Sequence, residues 1–197
     1  MQFSLFGAAA ATPTRRDFDG IVLAGGQWVH GRSGDARLSV LVDQRWRAEA
    51  LVEELELRGQ PAEQVELGHA GELKGLIDVR TPFGAELAPA AERWTRGARL
   101  VPPADLALAG GGLRLWAIAK GQRDESGYLL GTPGLDSGVH RAAGAQLAAL
   151  GLAAVGVGER GRPGWRLTGL KRIRRFAELL GESPAGAGID WPSDRID

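Results

Sequence analysis

Between Arg141 and Arg175 the chain carries eight Arg and Lys residues and a single acid, Glu159. Guanidinium and ammonium groups gathered in this way bind phosphates. A local excess is enough, because the relevant field is set within about a Debye length, roughly 8 Å at physiological salt. The formal net charge of zero over 197 residues argues against a protein that coats nucleic acid nonspecifically, yet leaves room for a local phosphate-binding surface. Lys171, Arg172, Arg174 and Arg175 open a predicted helix where positive charge opposes the helix dipole, an arrangement better explained by an outside anion than by helix stability. The alternative is an ordinary solvated helix face. From Gln44 to Glu72 the balance reverses and acids outnumber bases, so charge is polarised toward one face or one half. Zero cysteines exclude disulfides and cysteine-zinc sites, and three scattered histidines form no zinc spacing. No metal or other cofactor is expected.

The elements that must position these charges alternate between helical and strand periods. Residues 1–6 form an apolar tip and residues 7–16 an Ala-rich linker. An apolar helix follows over residues 21–26, with Asp17 and Asp19 as candidate N-caps. Strands are predicted at 27–32 and 36–42 around Ser33-Gly34-Asp35, and a helix at 45–58 with Ala48, Leu51 and Leu55 at helical spacing, stopped by Gly59. Further strands at 62–67 and 73–80 and a helix at 83–96 close the half. After Pro102-Pro103 the order returns: a helix at 106–121, one short strand at 127–131, a helix at 137–150, a hairpin of 153–158 and 164–169, and a helix at 171–180. The second strand of this half is poorly supported. In the tail, Ile189 and Trp191 are candidates to dock on the body. No apolar run reaches the roughly 18 residues of a membrane helix, and the start lacks a basic leader; a soluble, cytoplasmic chain with no membrane partner is expected.

Shifting the sequence by 95 lays Ala24, Gly26 and Gln27 on Ala119, Gly121 and Gln122, which together with the shared element order points to an internal duplication. The stretch Leu23-Ala24-Gly25-Gly26-Gln27-Trp28-Val29-His30-Gly31 resembles the LAGLIDADG motif of homing endonucleases, keeping the leading Leu-Ala-Gly and the final Gly. The resemblance is nearest to the endonuclease-like domain of the WhiA transcription regulators, and the second half ends similarly through Trp165-Arg166-Leu167 and Ile173, Phe176 and Leu180. It implies an α+β fold of two pseudo-symmetric αββαββα repeats forming a saddle for the DNA major groove. The repeats would span residues 18–100 and 101–182, after a peptide and linker at 1–17 and before a tail at 183–197. Gly75-Leu76-Ile77-Asp78 also echoes the motif but falls in a strand-like stretch.

Departures from the family decide the chemistry. Active members place one acid near the end of each motif helix, so that two carboxylates share divalent metals and direct water at a phosphodiester. Laid on the motif, this chain has His30 at that position in the first copy and Glu125, beside Asp124, in the second. The paired catalytic acids are not both present, and the resemblance implies a DNA-binding saddle without them. Its DNA-facing candidates are Arg32, Arg37, Lys74, Arg80, Arg160, Arg162 and Arg166, joined by Lys171, Arg172, Arg174 and Arg175, since Arg bridges phosphates or binds guanine bidentately. Trp165 is expected in the core before any contact with a sugar.

Gln2-Phe3-Ser4-Leu5-Phe6 fits the Gln-x-x-Leu-Phe pattern of peptides that bind the bacterial sliding clamp. Leu5 and Phe6 would fill an apolar pocket while the Gln2 amide bonds at its rim; the competing reading is an added edge strand. Peptide and saddle together predict a non-catalytic, nucleoid-associated accessory protein of DNA replication or repair, whose partners are the clamp (its beta subunit) and double-stranded DNA. The alternatives are a WhiA-like transcription regulator, whose separate helix-turn-helix domain is not evident here, a metal-dependent nuclease or nickase using Glu125 and Asp124, and a scaffold without DNA affinity.

Overall fold

The computed structural model describes residues 11–68, 73–158 and 163–192. The first repeat runs α1 (Phe18–Leu23), β1 (Gln27–His30), β2 (Ala36–Val42), α2 (Arg45–Leu57), β3 (Glu63–Leu67), β4 (Leu76–Arg80) and α3 (Ala88–Trp94). A two-stranded hairpin, β5 (Thr95–Arg96) and β6 (Arg99–Leu100), links it to the second repeat. That repeat runs α4 (Gly110–Lys120), β7 (Gly121–Asp124), β8 (Gly127–Gly131), α5 (Ser137–Ala149), β9 (Val155–Val157), β10 (Gly164–Leu167) and α6 (Leu170–Leu180). The antiparallel sheets have matching orders, β1-β2-β4-β3 and β7-β8-β10-β9. This is the αββαββα pair expected from the sequence.

Local chemistry sets most boundaries. Along β2, Ala36, Leu38, Val40 and Val42 are buried while Arg37, Ser39 and Leu41 are half-buried, the period-two pattern of a strand with one covered face. Helix α5 starts where the Asp136 carboxylate accepts from the backbone N–H groups of Gly138 and Val139. Three expectations are corrected. Helix α1 begins earlier, at Phe18, and ends at Leu23, because Gly25 takes φ +87° before the strand. Asp19 therefore lies inside the helix and caps nothing; it is buried, accepting from the Trp94 indole at 2.6 Å and from Arg93 at 3.1 Å. Residues 106–109 precede α4 without helical structure, and α4 passes directly into β7, a strand the sequence had not indicated, so that residues 127–131 form the second strand of this half and not its first.

The repeats meet at α1 and α4, where glycine lets two backbones touch. A Cβ on Gly20 would land on the Gly112 carbonyl oxygen, and one on Gly111 would strike the Asp17 carboxylate. Beside this crossing runs a buried charge chain. Arg58 donates to Asp17 Oδ2 at 2.9 Å and to Glu54 Oε2 at 2.6 Å, and Arg114 donates to Glu54 Oε1 at 2.6 Å and to the Leu180 carbonyl at 2.9 Å. The chain thus ties α2, α4, the end of α6 and the segment before α1 together. Arg47 of α2 caps the end of α4, donating to the Ile118 and Gly121 carbonyls at 2.7 Å each. The tail is fastened by Trp191, 5% exposed, and by Tyr128, whose hydroxyl donates to the Asp190 carbonyl at 2.8 Å. Ile189, expected to help dock it, is 85% exposed.

Candidate nucleic-acid interface

Helices cover one face of each sheet, and the strand register assigns the residues of the other. On the first sheet Gln27 and Val29 of β1 pair with Ser39 and Arg37 of β2; Ser39 and Leu41 pair with Arg80 and Asp78 of β4; Arg80 pairs with Glu63 of β3. All of these share the face opposite buried Leu38, Val40 and Val79. Their charges are internally matched. Arg80 Nε donates to Glu63 at 2.9 Å, Asp78 accepts from the Ser39 hydroxyl at 2.5 Å, and the Arg37 guanidinium sits 4.8 Å from the Phe83 ring centre. On the second sheet Arg166 holds Asp124 at 2.7 Å. Among the described residues Arg80 and Arg166 are thus paired with acids, Glu63 and Asp124, whereas the Arg37 guanidinium lies over Phe83 and not against an acid.

Neither α1 nor α4 carries a carboxylate on its last residues or directly after them; the described acids beside the end of α4 come from other segments, Asp43 and Asp190, and both are engaged by Arg47, at 3.5 and 3.3 Å. After α1 come Ala24, Gly25 and Gly26; α4 closes on Ala119 and Lys120, followed by Gly121. The 95-residue shift that relates the repeats carries Gly25 onto Lys120, so these are the corresponding helix-end positions. At Gly25 a side chain has no room, because a Cβ would lie 2.7 Å from the Pro133 carbonyl oxygen. The motif register is corrected accordingly. His30 stands at the far end of β1, where its Nε2 lies 3.1 Å from Thr95 Oγ1, and Glu125 occupies the turn between β7 and β8. Asp124 ends β7 and is committed to Arg166. Asp78, in the stretch that echoes the motif, lies in β4 as expected.

The remaining candidates fall on separate surfaces. Arg32 is exposed in the β1–β2 turn and Lys74 before β4. Arg160 and Arg162, like Gln2, Leu5 and Phe6, lie outside the described residues. Lys171, Arg172 and Arg174 are exposed on α6, and Arg175 lies 3.7 Å from Glu178. Helix α6 packs through Phe176, Leu179 and Leu180 onto α4, with Phe176 5.1 Å from the Tyr128 ring. It therefore belongs to the helical layer, and its bases do not join Arg166 on the open face. Trp165 faces that layer too, stacked on His140 at 4.9 Å and donating to the His140 carbonyl at 3.0 Å, a packing role as expected. The sequence had not singled out Pro133, Lys120 or Arg99. Pro133 borders two clefts beside the helix ends, of about 380 and 280 Å³.

No protein-family model matches the chain, and no curated protein matches its sequence. Its fold does match solved structures. The homing endonuclease I-WcaI, bound to its DNA recognition sequence, aligns with a TM-score of 0.59 at 12% identity over 88% of this chain and 84% of that one. The N-terminal LAGLIDADG domain of DUF199/WhiA aligns with a TM-score of 0.57 at 14% identity over 96% and 98%. Full-length DUF199/WhiA from Thermatoga maritima aligns at 0.57 and 12% identity over 89% of this chain and 59% of that one. The chain has the two-repeat LAGLIDADG-like fold. Among the described residues no helix is long and apolar enough to cross a membrane.

Proposed function

We propose that the chain is a non-catalytic DNA-binding accessory protein of replication or repair, nucleoid-associated in the cytoplasm and held at the bacterial sliding clamp by Gln2, Leu5 and Phe6. The observation that carries this reading is the pair of helix ends, Gly25 under Pro133 and the cation Lys120, on a fold otherwise like that of DNA-bound homing endonucleases. A two-metal hydrolysis needs carboxylates at that point; a saddle that only grips DNA does not. Exposed Arg32, Lys74, Lys171, Arg172 and Arg174 supply mobile charge for phosphates. Arg80 and Arg166 reach a phosphate only by exchanging Glu63 and Asp124 for it. Tethering strengthens both contacts, because DNA threaded through the clamp is presented at high local concentration.

The near-complete alignment with the N-terminal domain of WhiA favours a transcription regulator as the second reading. Clamp binding separates the two. With purified clamp, wild-type chain is expected to bind with micromolar affinity, about −8 kcal/mol, and Leu5→Ala/Phe6→Ala to lose binding by at least tenfold while its duplex affinity is unchanged. Equal clamp binding by wild type and double variant would remove the tether.

A further inference from the structure

The β5–β6 hairpin is not required by the repeat: it sits between the two copies, and the order of the second repeat among the described residues contains no equivalent. It stands beside β1, the edge strand of its sheet, and with Gly25–Gly26 and residues 133–135 encloses the larger cleft, about 380 Å³. That is within the size range of small-molecule sites. Among the described residues no carboxylate lines it. Arg99 of β6 is exposed on it and its guanidinium makes no hydrogen bond or ion pair with the described residues, in contrast to Arg80 and Arg166 on the open sheet faces.

Its other polar groups suit a flat, hydrogen-bonding ring. Thr95 Oγ1 donates to the Ala91 carbonyl at 2.9 Å and so accepts from His30 Nε2–H, which leaves His30 Nδ1 as the ring nitrogen that can meet a ligand. The Trp28 indole N–H is buried without a partner among the described residues, and Leu100 and Leu135 give apolar walls. One unpaired guanidinium, mixed donors and acceptors, apolar walls and no acid together fit a phosphate joined to a heteroaromatic base.

We propose that this cleft binds a single nucleotide turned out of a DNA strand, Arg99 holding its phosphate while His30 meets the edge of its base. An already unpaired nucleotide enters at least cost, since no stacking or pairing must be broken. The strand-borne source rests on the DNA-binding reading above; a free nucleotide has the same chemistry. The test measures binding of the full chain to a duplex with one extrahelical adenosine, to the same duplex fully paired, and to adenosine 5′-monophosphate. The extrahelical duplex is expected to bind at least tenfold more tightly than the paired one. Arg99→Ala should abolish that difference while leaving affinity for the paired duplex within twofold. Mononucleotide binding that depends on Arg99, without binding of either duplex, would keep the cleft and overturn the DNA reading. Equal affinity for both duplexes with no mononucleotide binding, or a preference untouched by Arg99→Ala, would overturn the cleft and leave the DNA reading standing.

Discussion

Gly20→Val is expected to prevent the two repeats from packing. The new side chain would begin on the Gly112 carbonyl oxygen, backbone against backbone, so no flexible tip can move aside and α1 and α4 must separate. Both helices are lined by fully buried residues, Ile21, Val22 and Leu23 on one and Leu113, Leu115 and Trp116 on the other. Separation would expose them. Overpacking of ordinary cores costs about 1–3 kcal/mol, and this substitution should exceed about 3 kcal/mol, read as a large fall in denaturation midpoint or loss of a cooperative transition. Gly158→Ala is the control, since nothing among the described residues lies within 4 Å of its added Cβ; it should unfold like wild type. A Gly20→Val protein that also did so would show that the α1–α4 crossing is not where the repeats are joined.

Arg58→Met should be nearly as damaging, for an electrostatic reason. The Arg58 side chain is 2% exposed and pairs with Asp17 and Glu54, themselves 9% and 10% exposed. Removing the cation strands Asp17 in a low-dielectric site, while Glu54 keeps Arg114. Breaking a buried pair by deleting one partner costs about 3–5 kcal/mol, whereas replacing both partners by apolar groups often costs little. The double variant Arg58→Met/Asp17→Leu should therefore recover part of the stability lost in the single one. A double variant as unstable as the sum of its parts would assign the loss to packing.

The sequence displayed the elements better than the site. Alternation in β2 and helical spacing in α2 and α5 are local signals, and each repeat could be recognised from them, whereas the capping role of Asp136 emerges only in the structure. Strand β7 was harder, because Gln122, Arg123 and Asp124 carry no strand propensity; the strand exists through pairing with Tyr128, Leu129 and Leu130 of β8. The helix-end register was hidden for a similar reason. Matching LAGGQWVHG letter by letter drew His30 to the catalytic position, while Gly25, beneath Pro133 more than a hundred residues away in sequence, fixes where the helix ends. Charge matching was equally invisible, since Arg166 finds Asp124 at a separation of 42 residues and Arg80 finds Glu63 at 17. The run of bases from Lys171 to Arg175 was plain in the sequence, but its place in the helical layer depends on Phe176, Leu179 and Leu180 packing inward.

Duplex binding over a salt series, with magnesium present and the DNA recovered afterwards, tests the central claim most directly. A non-catalytic saddle predicts an affinity whose logarithm falls linearly with the logarithm of salt concentration, by about 0.9 per phosphate contact, and DNA recovered intact. Affinity indifferent to salt would contradict the phosphate contacts, and metal-dependent cleavage abolished by Glu125→Ala would contradict the absence of catalysis.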